Sequence, residues 1–216
     1  MLTALLGPAG APLRILCLGA HCDDIEIGCG GTVLRLLEER PGSTVNWVAL
    51  SSTPEREREA RASAAEFLVG AATSEIVIKS FRDGYLPFHG VEVKDFFESI
   101  KKDARPDLIL THHRQDRHQD HRMIAELTWN TWRNHLIAEY EIPKYEGDLG
   151  TPNVFVPLAA TTARRKIDII LRSFPSQAGR SWFRAETFEA VLRLRGVECN
   201  APEGFAEALH APKLVI

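Results

Sequence analysis

No stretch of this sequence approaches the roughly 20 apolar residues that a membrane-spanning helix needs, so no transmembrane segment is expected. Cysteine is scarce. Cys17, Cys22, Cys29 and Cys199 are the four present, and none forms a Cys-x-x-Cys pair. At this size and spacing a disulfide framework is not expected, and four reduced thiols in a cytoplasmic protein is the reading. An excess of either charge is missing as well. There are 26 Lys and Arg against 29 Asp and Glu, a net charge of -3, which gives no global pull toward nucleic acid or an anionic membrane. Internal repeats and low-complexity linkers are absent, and nowhere does the composition shift enough to cut a domain. The first twelve residues lack a charged n-region and break at Gly7-Pro8, so they are not read as a signal peptide. Residues 1–12 are expected to be a loosely ordered lead, followed by one domain over 13–216.

What is present is enough for one sizeable core: 216 residues, 44% hydrophobic and 25% charged. Apolar runs at Leu13–Leu18, Val45–Leu50, Glu75–Lys79 and Leu108–Thr111 read as strands. Between them lie helical patterns. Gly31–Arg40 carries Val33, Leu34, Leu36 and Leu37 before Pro41-Gly42. Thr53-Pro54-Glu55 reads as an N-cap, a first-position proline and a first-turn acid, opening a helix to about Val69. Val93, Phe96, Phe97 and Ile100 fall at helical spacing, and a helix is predicted from near His121 past Trp132. Tyr140–Tyr145 and Asn153–Leu158 read as short strands, and Thr162–Phe174 and Ala185–Arg195 as helices, the last ending at Gly196. Such alternation predicts an α/β, Rossmann-like fold: a mostly parallel sheet with helices on both faces.

Two polar clusters each follow a strand. Gly19-Ala-His-Cys-Asp-Asp ends the first strand, and Arg117-His-Gln-Asp-His121 follows the fourth. In a parallel sheet both face the rim beyond the strands' carboxyl ends. Charge buried beside a core strand must be paired or bind a metal. His21, Asp24 and His121 offer two nitrogens and a carboxylate, which suits zinc with a position left open. Asp23 is placed as general base, His118 as an imidazolium for oxyanion and leaving amine, and Asp120 as the carboxylate that orients His118. This is hydrolase chemistry at an amide or ester carbonyl.

Other features read more plainly. Gly28, Gly30 and Gly31 serve close helix packing rather than a phosphate, because carboxylates fill the turn a pyrophosphate would need. His112 and His113 read as hydrogen-bonded wall residues, and Asp116, Asp83 and Arg58 as either solvated surface or substrate lining. Trp129 and Trp132 read as core, and Arg164-Arg165-Lys166 as a solvated helix face. An amidase for another small amide or thiol conjugate, and a non-catalytic metal- or nucleotide-binding module, are the rival readings.

Ala20-His-Cys-Asp-Asp24 with Gly30-Gly31, taken together with His118-Gln-Asp-His121, resembles the zinc-dependent deacetylases of the LmbE-like family. That family is also named after its N-acetylglucosaminyl-phosphatidylinositol deacetylase (PIG-L) members. The resemblance runs from about Leu13 to Ala208. It implies a Rossmann-like fold and removal of acetyl from N-acetylglucosamine-type groups, or cleavage of related amides. It implies zinc on His21, Asp24 and His121, Asp23 as base, His118 at the oxyanion or leaving group, and Asp120 in support. Phe81-Arg-Asp-Gly84 matches a family segment whose aspartate, here Asp83, lines the substrate pocket. Arg58 falls where members often carry a substrate-binding arginine. A small-molecule acetamido sugar or conjugate is the implied partner, and a homo-oligomer, trimer or hexamer, the implied assembly. Cys22 stands where proline is usual, Ile25 comes before Glu26 where glutamate commonly follows directly, and Arg61 replaces an acid common in members. These departures leave the substrate open.

Overall fold

Alternation along β1 (Arg14–Gly19) defines the two faces of the sheet. In the computed structural model, which describes residues 6–215, Ile15 and Cys17 enter one hydrophobic cluster and Leu16 and Leu18 another. Side chains of period two must divide this way. β1 pairs in parallel with β2 (Thr44–Ser51) on one side and β4 (Leu108–His112) on the other. β3 (Thr73–Phe81) and β5 (Leu136–Tyr140) extend the sheet beyond them, also parallel. β7 (Phe205–His210) then runs antiparallel to β5, and β6 (Val154–Leu158) is antiparallel to β7 at the far edge. The strand order is β3-β2-β1-β4-β5-β7-β6.

Helices cover both faces. α1 (Asp24–Glu39), α2 (Pro54–Phe67), α5 (Ala160–Ser173) and α6 (Ala185–Cys199) fill the first cluster with Leu34, Phe67, Ile170 and Phe188. α3 (Gly90–Ala104) and α4 (Gln119–Thr131) fill the second with Phe97 and Ile124. The chain is therefore a single α/β, Rossmann-like domain, as the alternation predicts. Thr53 caps α2, its Oγ1 accepting the Arg56 N–H at 3.3 Å. None of the described helices is long and apolar enough to cross a membrane.

The chain builds β1, β2 and β3 in one direction and then crosses back to lay β4 beside β1. The connections that follow β1 and β4 leave on opposite sides, which opens a crevice at the strand tips. Both polar clusters are delivered there.

α1 begins at Asp24, seven residues earlier than the apolar pattern predicts. Only Arg35, Glu38 and Glu39 of this helix are not buried. A helix enclosed on all sides needs small residues where neighbours press close. A Cβ on Gly28 would fall 2.2 Å from the Tyr140 ring, and one on Gly31 2.5 Å from Leu158. Around Cys29 the backbone leaves helical angles (φ -146°, ψ 15°). The Gly31 N–H and Ile27 C=O, an i→i-4 pair across that bend, take outside partners. Gly31 donates to Glu207 Oε1 at 2.7 Å, and the Ile27 oxygen accepts from Lys166 Nζ at 2.6 Å.

That pairing corrects the expectation for the basic run. Arg164 and Arg165 are exposed, but Lys166 is buried and donates to Glu207 Oε1 at 2.6 Å. Tyr140–Tyr145 is not a strand; β5 ends at Tyr140, and a loop follows. α4 stops at Thr131, with Trp132 as its C-cap. α6 passes through Gly196, which rests on the next loop: a Cβ there would fall 2.3 Å from the Gly204 oxygen. The helix ends instead at Asn200, in the left-handed region at φ 52°. Of the expected lead 1–12, residues 1–5 lie outside the described residues, as does Ile216. The Pro8 and Ala11 carbonyls accept from Arg40 Nη1 at 3.2 and 2.9 Å.

Replacing Glu207 by Ala strands a buried ammonium and the Gly31 and Thr32 amides. A loss of about 3–5 kcal/mol is expected, read from urea unfolding; a loss under about 1 kcal/mol contradicts this role.

Candidate active site and metal centre

The turn after β1 is pinned from both sides. The Ala20 N–H donates to His112 Nε2 at 2.9 Å, and the Ser51 N–H donates to the Ala20 carbonyl at 2.8 Å. His21 follows, and its N–H donates to Asp24 Oδ2 at 2.6 Å, which folds the turn onto the first residue of α1. From the other strand, His118 is the N-cap of α4, its Nδ1 accepting the Asp120 N–H at 3.3 Å. Asp120 and His121 then occupy the first turn of α4.

These elements bring His21, Asp24 and His121 together. His21 Nδ1 lies 3.1 Å from His121 Nε2 and 3.2 Å from Asp24 Oδ2. His121 Nε2 lies 3.5 Å from Asp24 Oδ1. Bonds of about 2.0–2.1 Å at a tetrahedral ion put ligand atoms about 3.3 Å apart. The three side chains thus bring two ring nitrogens and a carboxylate to the spacing of ligands that could share one metal ion. His21, His118 and His121 also bring ring nitrogens within 4.8 Å of one another.

Each of these two imidazoles meets a carboxylate at the nitrogen turned away from the cluster, the arrangement that favours the tautomer protonated on that side. Asp116 Oδ2 sits 3.0 Å from His121 Nδ1, which leaves Nε2 with its lone pair toward the cluster. Asp120 Oδ2 sits 3.2 Å from His21 Nε2, and Asp83 Oδ1 3.0 Å from the same atom, which leaves Nδ1 toward the cluster. Burial pushes Asp116 up, but His121 and Lys144 outweigh it and hold its carboxyl well below the usual range.

Asp120 therefore does not orient His118 as expected. Its oxygens accept the Gly84 N–H at 2.8 Å and the Leu86 N–H at 3.2 Å, and meet His21. Two residues apart at a helix start, His118 and Asp120 project to different sides; only the backbone N–H of Asp120 meets His118. Burial, then His121 and His21, push the His118 pKa below the ordinary value, and with Nδ1 accepting the Asp120 N–H, Nε2 is the ring nitrogen free to carry a proton.

Asp23 is buried and lines the cleft above the cluster. Burial raises its pKa, and Arg56, whose Nη2 lies 2.9 Å from Oδ1, pulls it back. Arg56 takes the position expected of Arg58, which is exposed and does not line the cleft. Two residues turn a helix by about 200°, so the two arginines face opposite ways. Asp83 stands at the rim, 79% exposed yet touching His21. His112 is a wall residue: its Nε2 takes the Ala20 N–H, and its ring stacks on His121 at 3.9 Å. Burial, with His121 beside it, lowers its pKa to about 4. His113 Nδ1 pairs with Glu139 Oε2 at 2.7 Å. Trp132 is fully buried, while Trp129 is half-buried with its N–H on Glu139.

Two residues, Arg56 and Lys144, escaped the sequence reading of the site, and Asp116 was read there only as solvated surface or substrate lining. Asp116 carried a signal, a carboxylate five residues before His121. Arg56 carried only its place one turn into α2. Lys144, which bridges Asp116 at 2.9 Å and Asp148, carried none. The cluster forms the floor of a cleft of ≈ 830 Å3, whose walls come from Arg82–Asp83, Ile142–Glu146, and Gln177, Arg180 and Trp182.

Residues 16–132 match the family described as PIG-L, GlcNAc-PI de-N-acetylase. A relative from Escherichia coli (strain K12), described as "Uncharacterized deacetylase YaiS", is 30% identical over 152 residues, covering 65% of this chain and 80% of the relative. The N,N'-diacetylchitobiose deacetylase from Pyrococcus horikoshii superposes with a TM-score of 0.71 at 21% identity, over 92% of this chain and 83% of that one. GalB, the 4-carboxy-2-hydroxymuconate hydratase from Pseudomonas putida KT2440, superposes with a TM-score of 0.73 at 19% identity, over 94% and 97%. At these identities the structural likeness shows the fold alone.

Asp116→Ala is expected to weaken zinc binding by about 10–100-fold, measured by competition with a chromophoric chelator; unchanged affinity contradicts a bracing role.

Proposed function

The chain belongs to the GlcNAc-PI de-N-acetylase (PIG-L) family, and from that premise we propose that it is a metal-dependent N-deacetylase. Its substrate is an N-acetylglucosamine-type sugar or a conjugate of one. The observation that carries this reading is the spacing of His21 Nδ1, His121 Nε2 and the Asp24 carboxylate, 3.1 to 3.5 Å between atoms, with Asp23 beside them. The hydratase that shares the fold is the reason to argue from this site rather than from architecture.

His21, Asp24 and His121 would hold the ion. A bound zinc ion supplies a polarised amide carbonyl and a water of lowered pKa. Arg56 engages Oδ1 of Asp23, so Oδ2 is the oxygen that takes the proton of the attacking water. The same carboxyl then returns that proton to the departing amine as the C–N bond breaks. Amide and water become acetate and amine. His118, with Nδ1 accepting the Asp120 N–H, donates a hydrogen bond from Nε2 to the oxyanion. Asp83, at the rim, meets the sugar's hydroxyls.

Acetate release from N-acetylglucosamine conjugates tests the reading. Chelation should abolish it and zinc restore it. Asp23→Ala should keep its metal and lose about 100- to 10,000-fold in kcat; His118→Ala should lose about 100- to 1,000-fold. Acetate release that survives chelation, or a near-normal rate in Asp23→Ala, contradicts the proposal.

A further inference from the structure

Arg56 reaches Asp23 on a long side chain with freedom at every bond, so its aim depends on what else holds it. It stands in the first turn of α2, and Glu59 follows three residues on, which puts both on one face of the helix. Between Arg56 Nη1 and Glu59 Oε2 the separation is 4.0 Å, too long for a hydrogen bond. Ser176, on the 3-10 turn Pro175–Gln177 after α5, closes the gap. Arg56 Nη1 donates to its hydroxyl oxygen at 3.3 Å, and that hydroxyl donates to Glu59 Oε2 at 2.6 Å. The Ser176 backbone N–H donates to Glu59 Oε1 at 2.9 Å. The buried Phe174 ring flanks the guanidinium, with 5.3 Å between its centroid and Cζ.

These groups allow only one order of protons. A guanidinium only donates and a carboxylate only accepts. The single Ser176 hydroxyl proton therefore points to Glu59, and a lone pair of the oxygen faces Arg56. At the other end, Nη2 of the same guanidinium meets Asp23 Oδ1 at 2.9 Å. The guanidinium is a planar fork, so fixing Nη1 fixes the plane in which Nη2 approaches Asp23. Glu59 is 8% exposed and Asp23 6%, so the carboxylates at both ends are shielded from competing water. Among the described hydrogen bonds Glu59 has no partner but Ser176.

We propose that Glu59 is a positioning residue for the general base: through the Ser176 hydroxyl it locks the Arg56 guanidinium against Asp23 Oδ1, which keeps Oδ2 turned to the reacting water. This deepens the deacetylase reading and rests on it for the role of Asp23; the lock itself can be read without turnover.

The test uses zinc-loaded protein carrying isotope-labelled arginine, with N-acetylglucosamine as the substrate. A guanidinium held at both Nη groups turns slowly about its Cζ–Nε bond. Wild type should therefore show separate Nη resonances for Arg56 by NMR, assigned by their loss in Arg56→Lys. Glu59→Ala and Ser176→Ala should merge them, and Ser176→Thr, which keeps the hydroxyl, should retain them. Glu59→Gln, equal in size but with one accepting oxygen for two donors, should behave as Glu59→Ala. In acetate release, Glu59→Ala should lower kcat and kcat/KM together by about 10- to 100-fold with its zinc retained. In an Arg56→Met background the same change should cost nothing further. Separate resonances that survive in Glu59→Ala, a loss carried by KM alone or by lost zinc, or losses that add in the double variant overturn the inference. A wild type that shows the lock but releases no acetate overturns the deacetylase reading and leaves the lock standing.

Discussion

Asp24 is a buried carboxylate with imidazoles on three sides, and the arrangement of the two central loops follows from that. His21, His112 and His121 each bring a ring nitrogen within 3.5 Å of its oxygens. Taking such a charge out of water costs several kcal/mol unless partners replace the solvent. Burial alone would raise its pKa, yet His121, His21 and His112 together hold it well below the usual carboxylate range. Only the crevice between β1 and β4 lets residues about 100 positions apart supply those partners. A carboxylate stored in this way is already stripped of water and faces His21 and His121, the two histidines that would share an ion with it.

The next layer of interactions ties the cleft walls to the same cluster. Asp120 braces His21 and also receives the Gly84 and Leu86 amides, so the loop carrying Asp83 hangs from it. Asp116 braces His121 and also receives Lys144, which fastens the loop after β5. Asp23 holds Arg56, which reaches Ser176 on the third wall. Each wall therefore runs back through one carboxylate to the floor. Loops carry the variable part of such sites. Here their positions are coupled to the groups that would touch the reacting atoms.

Much of this was legible in the order of residues. Strand-helix alternation gave the parallel half of the sheet, because buried parallel strands read as continuous apolar runs. The two histidine-aspartate clusters were legible because each followed such a run. What failed was direction. Arg56 and Arg58 are equivalent in sequence terms, and only the phase of α2 separates them. Asp120 and Asp116 both flank His118, and which one meets which imidazole depends on the extended backbone at the N-cap (φ -70°, ψ 124°). Lys166 sits among arginines in the sequence, but one helix position turns it toward Glu207. β7 went unread because Phe205–His210 contains Glu207, whose burial makes sense only once Lys166 and the Gly31 amide are known to await it.

The most direct measurement is anomalous diffraction at the zinc edge from crystals grown with zinc. The account predicts one strong peak at bonding distance, about 2.0–2.2 Å, from His21 Nδ1, His121 Nε2 and an Asp24 oxygen, with a non-protein ligand completing the shell toward the cleft. A peak bound through His112, or one whose fourth ligand is another side chain of this protein, would contradict it.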